Sequence, residues 1–203
     1  MFKIKDSLKD LEIKNQRSQR NFLITLLVIV SIFFAISILN TFVYLNVVVE
    51  GSSMEKTLHS GDLLIVNKLR QAERQDIIII NVNGKWIIKR VIGIEGDTVI
   101  IEKGFVYLKK AGETETIKLD EKRYVKENGV TYSPVPTPVG KEHARQEVVV
   151  GKDEIFYLGD NREYSKDSRS EYGCCNESDV IGVVENWSIQ FRGLTKLFLL
   201  FSV

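Results

Sequence analysis

Ser53 and Lys89 are the two residues whose type and setting best suit acyl-transfer chemistry. Ser53 lies in the stretch Glu50 to Asp62, behind Gly51 and Ser52, where a long uncharged run ends. Small residues let a backbone approach a ligand closely, and a serine in such a turn becomes a nucleophile when a base stands beside it. His59 and His143, the two histidines, form no Ser-His or Cys-His pattern with their neighbours, so a histidine base is not expected. Lys89 is the other kind of base on offer, because a desolvated lysine gives up its charge easily. Each residue also has a plainer reading. A Gly-Ser-Ser turn is as a rule only a turn, and a strand lysine as a rule sits at an edge or reaches into solvent.

The elements that must position these residues follow from periodicity and turn chemistry. Asp76 to Val82 and Trp86 to Ile94 are β-rich runs around Asn83-Gly84, the signal for a type I′ hairpin, which puts Lys89 inside a strand. There Lys89 shares a face with Ile87 and Val91, and Arg90 shares the other with Ile88 and Ile92. Further strands are expected at 63–68, 98–102, 105–110, 116–119, 147–150, 154–158, 180–184 and 187–191. Lys103-Gly104 is read as a second hairpin turn and Ser133 to Pro138 as a loop. Gly159 to Arg169 is a dense polar loop. Short strands with frequent turns imply a mainly β domain without a helical period after residue 50.

Between Arg20 and Glu50 no residue is charged. Phe22 to Leu45, about 24 residues, would extend about 36 Å as a helix, against a hydrocarbon core of about 30 Å. This reads as one transmembrane helix. It is too long for the apolar region of a cleaved signal peptide. Lys3, Lys5, Lys9, Lys14, Arg17 and Arg20 precede it, so the positive-inside rule places residues 1–21 in the cytoplasm and residues 46–203 outside. The tail Leu194 to Val203 is too short to span.

The 203 residues carry a net charge of +1 with 44% hydrophobic content. That composition supports a packed core and gives no electrostatic footprint for nucleic acid. Cys174 and Cys175 are adjacent, with Cα atoms about 3.8 Å apart, below the disulfide range, and are read as free thiols. No zinc spacing occurs, so neither a metal nor another cofactor is expected. Asn176 and Asn186 begin glycosylation sequons.

Ser-Met, Thr-Leu, Gly-Asp, Lys-Arg-Val-Ile-Gly, Gly-Asp-Asn-Arg and Ser-x-Asp-Ser-Arg occur here in one order. In that combination the chain resembles type I signal peptidase, the membrane-bound Ser-Lys protease family S26, in its bacterial single-span form. The resemblance covers residues 22–191 and is thinnest between 103 and 150. It implies an antiparallel β catalytic core with a smaller inserted β region at about 103–150. By position it makes Ser53 the nucleophile and Lys89 the general base. Ser165 would orient the lysine, Arg90 and Asp160 would support the core, and Asp167 with Arg169 would form an ion pair. Gly51 stands where some relatives carry a second oxyanion donor.

The implied partners are exported precursors bearing signal peptides, cut after small residues at the first and third positions before the scissile bond. The lipid bilayer and the protein export machinery complete the set. Lys56 stands where the family usually has proline, and its cation is expected to lower the Lys89 pKa or narrow substrate choice. A binding reading, an assembly factor for surface or pilus subunits with little proteolysis, stands as the alternative. A self-cleaving repressor would need a DNA-binding helix-turn-helix and no span, the reverse of what is present.

Overall fold

The computed structural model describes residues 2–125, 131, 145–170 and 172–190. The chain divides into two units, Met1–Val43 and Tyr44–Val203. The first is a single helix, α1 (Phe2–Val43), whose Lys14–Val43 portion is long and apolar enough to cross a membrane. Its apolar side chains, Phe22, Leu27 and Phe33 among them, are exposed, as suits a membrane anchor. Two threonine hydroxyls within it are satisfied by the helix itself: Thr25 and Thr41 donate to the carbonyls of Asn21 and Ser37 at 2.9 and 3.0 Å. That is how a hydroxyl is tolerated where no water is at hand.

The second unit is two antiparallel sheets. Strands β1 (Tyr44–Val48), β2 (Leu63–Asn67), β3 (Ile77–Val82), β4 (Lys85–Ile94), β9 (Glu154–Leu158), β10 (Cys175–Asn176) and β11 (Val180–Val184) form one. Their order is β1-β2-β11-β3-β4-β9-β10. The smaller sheet has the order β7-β6-β5-β8, from β5 (Thr98–Glu102), β6 (Phe105–Lys109), β7 (Ile117–Lys118) and β8 (Gln146–Val149). Both hairpin turns have the expected paired left-handed residues, with φ of 52° and 80° at Asn83-Gly84 and 51° and 83° at Lys103-Gly104.

The four isoleucines of β3 are explained by burial on both faces. Ile77 and Ile79 pack with Val49, Met54, Leu58 and Val66, whereas Ile78 and Ile80 pack with Val91, Ile155 and Tyr157. Alternation is therefore absent from a strand at the centre of the fold. A third cluster joins the sheets, with Ile92, Phe156 and Leu158 against Val99, Ile101, Val106 and Leu108.

Three expectations differ from what is observed, and one strand was not expected. The helix ends at Val43, and Leu45 lies in β1, where it pairs with Val66; an apolar run does not mark where a helix gives way to a strand. The smaller sheet begins with β5, ahead of residue 103. Residues 187–190 belong to a short helix, α2 (Asn186–Gln190), not a strand. Ser188 reverses the chain there, its N–H and hydroxyl both donating to Glu185 O, at 2.9 and 2.7 Å. Strand β10 carried no sequence signal. The Ser133–Pro138 loop, His143 and the Leu194–Val203 tail lie outside the described residues.

Candidate active site

Ser53 rides on a loop that is closed at its base. Val49 N donates to Asp62 O at 2.8 Å and Gly61 N to Val49 O at 2.9 Å. Within the loop Leu58 N donates to Met54 O at 2.9 Å, and both side chains are buried in the core beneath. Two apolar pegs thus hold the loop from below, with Ser53 half-buried above them. Gly51 takes φ +86°, a left-handed turn suited to glycine. It is exposed, and an added Cβ would meet open space.

Lys89 Nζ lies 2.6 Å from Ser53 Oγ. The lysine is 4% exposed, held in β4 opposite Ile78 on the strand face it shares with buried Val91. Burial pushes its pKa down from 10.5 to about 8; Asp167 and Asp160 act against that shift and Arg169 adds to it. Lys56, the cation expected to influence Lys89, instead donates to the carbonyls of Lys122 and Val125 at 2.6 Å each.

Register explains the neighbouring ion pair. Arg90 lies opposite Leu158, and the period of two returns Asp160 to the same side as Leu158. Arg90 grips Asp160 with two bonds of 2.8 and 2.7 Å and donates a third to Gln75 O at 2.8 Å. Asp160 also accepts the Thr57 hydroxyl at 2.5 Å, which ties the Ser53 loop to the buried pair. A second pair joins Arg169 to Asp167 at 2.8 and 2.9 Å, and Asp167 accepts Gly159 N at 3.0 Å.

Ser165 sits against Gly159, and its buried Oγ has no hydrogen-bond partner among the described residues. The hydrogen bond expected between it and Lys89 is absent here. Every other site residue expected from sequence gathers about the Ser53 loop, β4 and the segment following β9.

Three contributors were not anticipated. Asn161 donates from its backbone N to Ser53 O and from its side chain to Ser52 O, each at 3.0 Å. Gly159 allows the close approach: a Cβ there would stand 2.6 Å from Ser53 O and collide with Ser165. Tyr124 stacks under Arg90, 4.2 Å from the guanidinium carbon to the ring centre. The first two lie in a Gly-Asp-Asn-Arg run that reads as a polar loop; nothing in the sequence marks Tyr124. No group of three or more His, Cys, Asp or Glu side chains placed to hold a metal ion occurs among the described residues.

The sequence matches the family described as signal peptidase, peptidase S26, over residues 20–188. A signal peptidase I of Bacillus amyloliquefaciens is 34% identical over 151 residues, covering 70% of this chain and 72% of that one. Signal peptidase I U of Bacillus subtilis is 30% identical over 184 residues, covering 86% and 90%. A signal peptidase I of Enterococcus faecalis known from its crystal structure is 27% identical, covering 57% of this chain and 98% of that one, with a TM-score of 0.42. The matched span runs from the start of the apolar segment into α2 and contains Ser53, Lys89 and both buried ion pairs, and on that breadth the chain belongs to the signal peptidase family, peptidase S26.

Proposed function

We propose that this chain is a membrane-anchored serine endopeptidase that removes signal peptides from exported precursors, with Ser53 as nucleophile and Lys89 as general base. The observation that carries the reading is the 2.6 Å approach of Ser53 Oγ to a buried lysine amine. An amine of pKa about 8 is neutral in roughly one molecule in ten at pH 7, against roughly one in three thousand at 10.5. Neutral Lys89 takes the Ser53 proton as Oγ attacks the scissile carbonyl. The resulting ammonium protonates the departing amine, leaving an acyl-enzyme. Water then attacks the ester, with Lys89 again accepting the proton.

The Ser53 N–H serves the oxyanion; Gly51 adds no side-chain donor. Ser165 takes the lysine-orienting role, since a buried hydroxyl without a partner costs about 1–3 kcal/mol and a turn of the amine toward it would remove that cost. The Arg90–Asp160 and Asp167–Arg169 pairs hold the segments carrying Lys89 and Gly159. The names of the relatives support the substrate class, and the length and apolarity of α1 support an anchor in the bilayer those substrates cross.

The test is cleavage of a precursor with an Ala-x-Ala site by the full-length protein in detergent, beside Ser53→Ala and Lys89→Ala. Both variants are expected to lose activity by roughly a thousandfold or more. A folded parent that leaves the precursor intact, or a Ser53→Ala protein that still cuts it, removes this reading.

A further inference from the structure

Residues Glu121 to Val125 form a turn in the connection between β7 and β8, outside the strands that carry the dyad. From this turn, contacts run to all three segments that build the site. The carbonyl of Val125, and that of Lys122 beside it, accept the Lys56 ammonium from the Ser53 loop at 2.6 Å each. Tyr124, itself buried, lies under Arg90, the residue after Lys89. Glu121 receives two bonds from Arg162, one at 3.0 and one at 2.5 Å. Arg162 follows Asn161, whose amides fix the carbonyls of Ser52 and Ser53.

The Lys56 backbone adds a second observation. Its φ is +86°, a conformation closed to proline and unfavourable for any residue with a Cβ. Such a conformation persists only where its surroundings enforce it. Two charge-assisted bonds to carbonyls on the far turn supply that enforcement. The turn itself is compact, with Tyr124 N and Val125 N donating to Glu121 O at 3.1 and 2.8 Å.

We propose that the Glu121–Val125 turn is a positioning clamp for the Ser53–Lys89 pair, joined to the nucleophile's loop through the Lys56 ammonium. Lys56 is a positioning residue in this scheme and touches no reacting atom. Its effect on turnover rests on the peptidase reading above; the mechanical tie does not. Loosening it leaves Ser53 free to drift from the amine, and a misplacement near 1 Å is enough to cost a large factor in rate.

Three variants of the full-length protein separate the possibilities. Lys56→Met keeps the stem and removes both bonds; kcat is expected to fall roughly 10- to 100-fold with KM nearly unchanged. Lys56→Arg retains donors for both carbonyls and recovers most of the rate. Lys56→Gly relieves the backbone but supplies no cation, and stays slow. Hydrogen exchange read by mass spectrometry should show the amides of Thr57, Leu58, Tyr124 and Val125 opening together in Lys56→Met. A Lys56→Met enzyme as fast as the parent, or full rescue by Lys56→Gly, overturns the clamp while leaving the peptidase reading intact. If the parent itself cleaves no precursor, it is that reading that fails, and exchange alone decides: parent-like protection in Lys56→Met overturns the tie, joint opening upholds it.

Discussion

Lys89 shows what burial does to one side chain at a cost the fold must carry. Because its pKa is lowered to about 8, kcat/KM should rise with pH to a plateau with a midpoint near 8, falling tenfold per unit on the acid side. A profile flat from pH 6 to 9 would exclude Lys89 as the base. The same shift has a stability sign. The folded state releases the proton near pH 8, whereas the unfolded chain holds it to about 10.5, so the unfolded state binds more protons between those values. Stability therefore rises across that window, by on the order of 3 kcal/mol, and the penalty is fully present below pH 8. Denaturant midpoints at pH 7 and 10 should show this rise in the parent and not in Lys89→Met; equal slopes would refute it. At this scale the sequence was informative where a residue type is rare in its setting, as with a lysine on an apolar strand face. It placed Gly159 and Asn161 in the Gly-Asp-Asn-Arg motif but gave them no role, because their importance comes from the Ser53 carbonyl that folding brings to them.

At the scale of elements, Gly159 sets how closely the Ser53 loop can approach the end of β9. The space a Cβ would need is already filled by Ser53 O at 2.6 Å and by the Ser165 side chain, so Gly159→Ala must push the loop away from Lys89. Overpacking of this kind costs about 1–3 kcal/mol. We expect activity to fall roughly a hundredfold in a protein that still folds, with a denaturant midpoint lowered by about that energy. An unimpaired Gly159→Ala enzyme would show that the loop can yield without moving Oγ. Strands were legible where a turn signal bounded them, Asn83-Gly84 for β3 and β4 and Lys103-Gly104 for β5 and β6. Strand β1 was hidden, because Tyr44 to Val48 continues an apolar run and only its pairing with β2 distinguishes it from more helix. The five residues of α2 are too few to show a helical period.

At the scale of the whole molecule, one chain carries a helix long and apolar enough to cross a membrane and a β unit with the proposed Ser53–Lys89 pair, and exported precursors would meet that pair only on the correct side of the membrane. The net charge of +1 gives the chain no global pull toward either side. Orientation then falls to the basic residues next to the span, and Lys14, Arg17 and Arg20 lie within the distance over which such charges act. We propose that they keep the N-terminus in the cytoplasm and residues after Tyr44 outside. Protease added to intact protoplasts should digest the β domain of the parent, and a green fluorescent protein fused ahead of Met1 should glow. Replacing Lys14, Arg17 and Arg20 with glutamine should leave a fraction of the β domain protected, as the positive-inside bias weakens. A parent fully protected from external protease would put Ser53 in the cytoplasm, away from translocated cleavage sites, and would end the signal-peptidase assignment whatever the dyad can do in detergent.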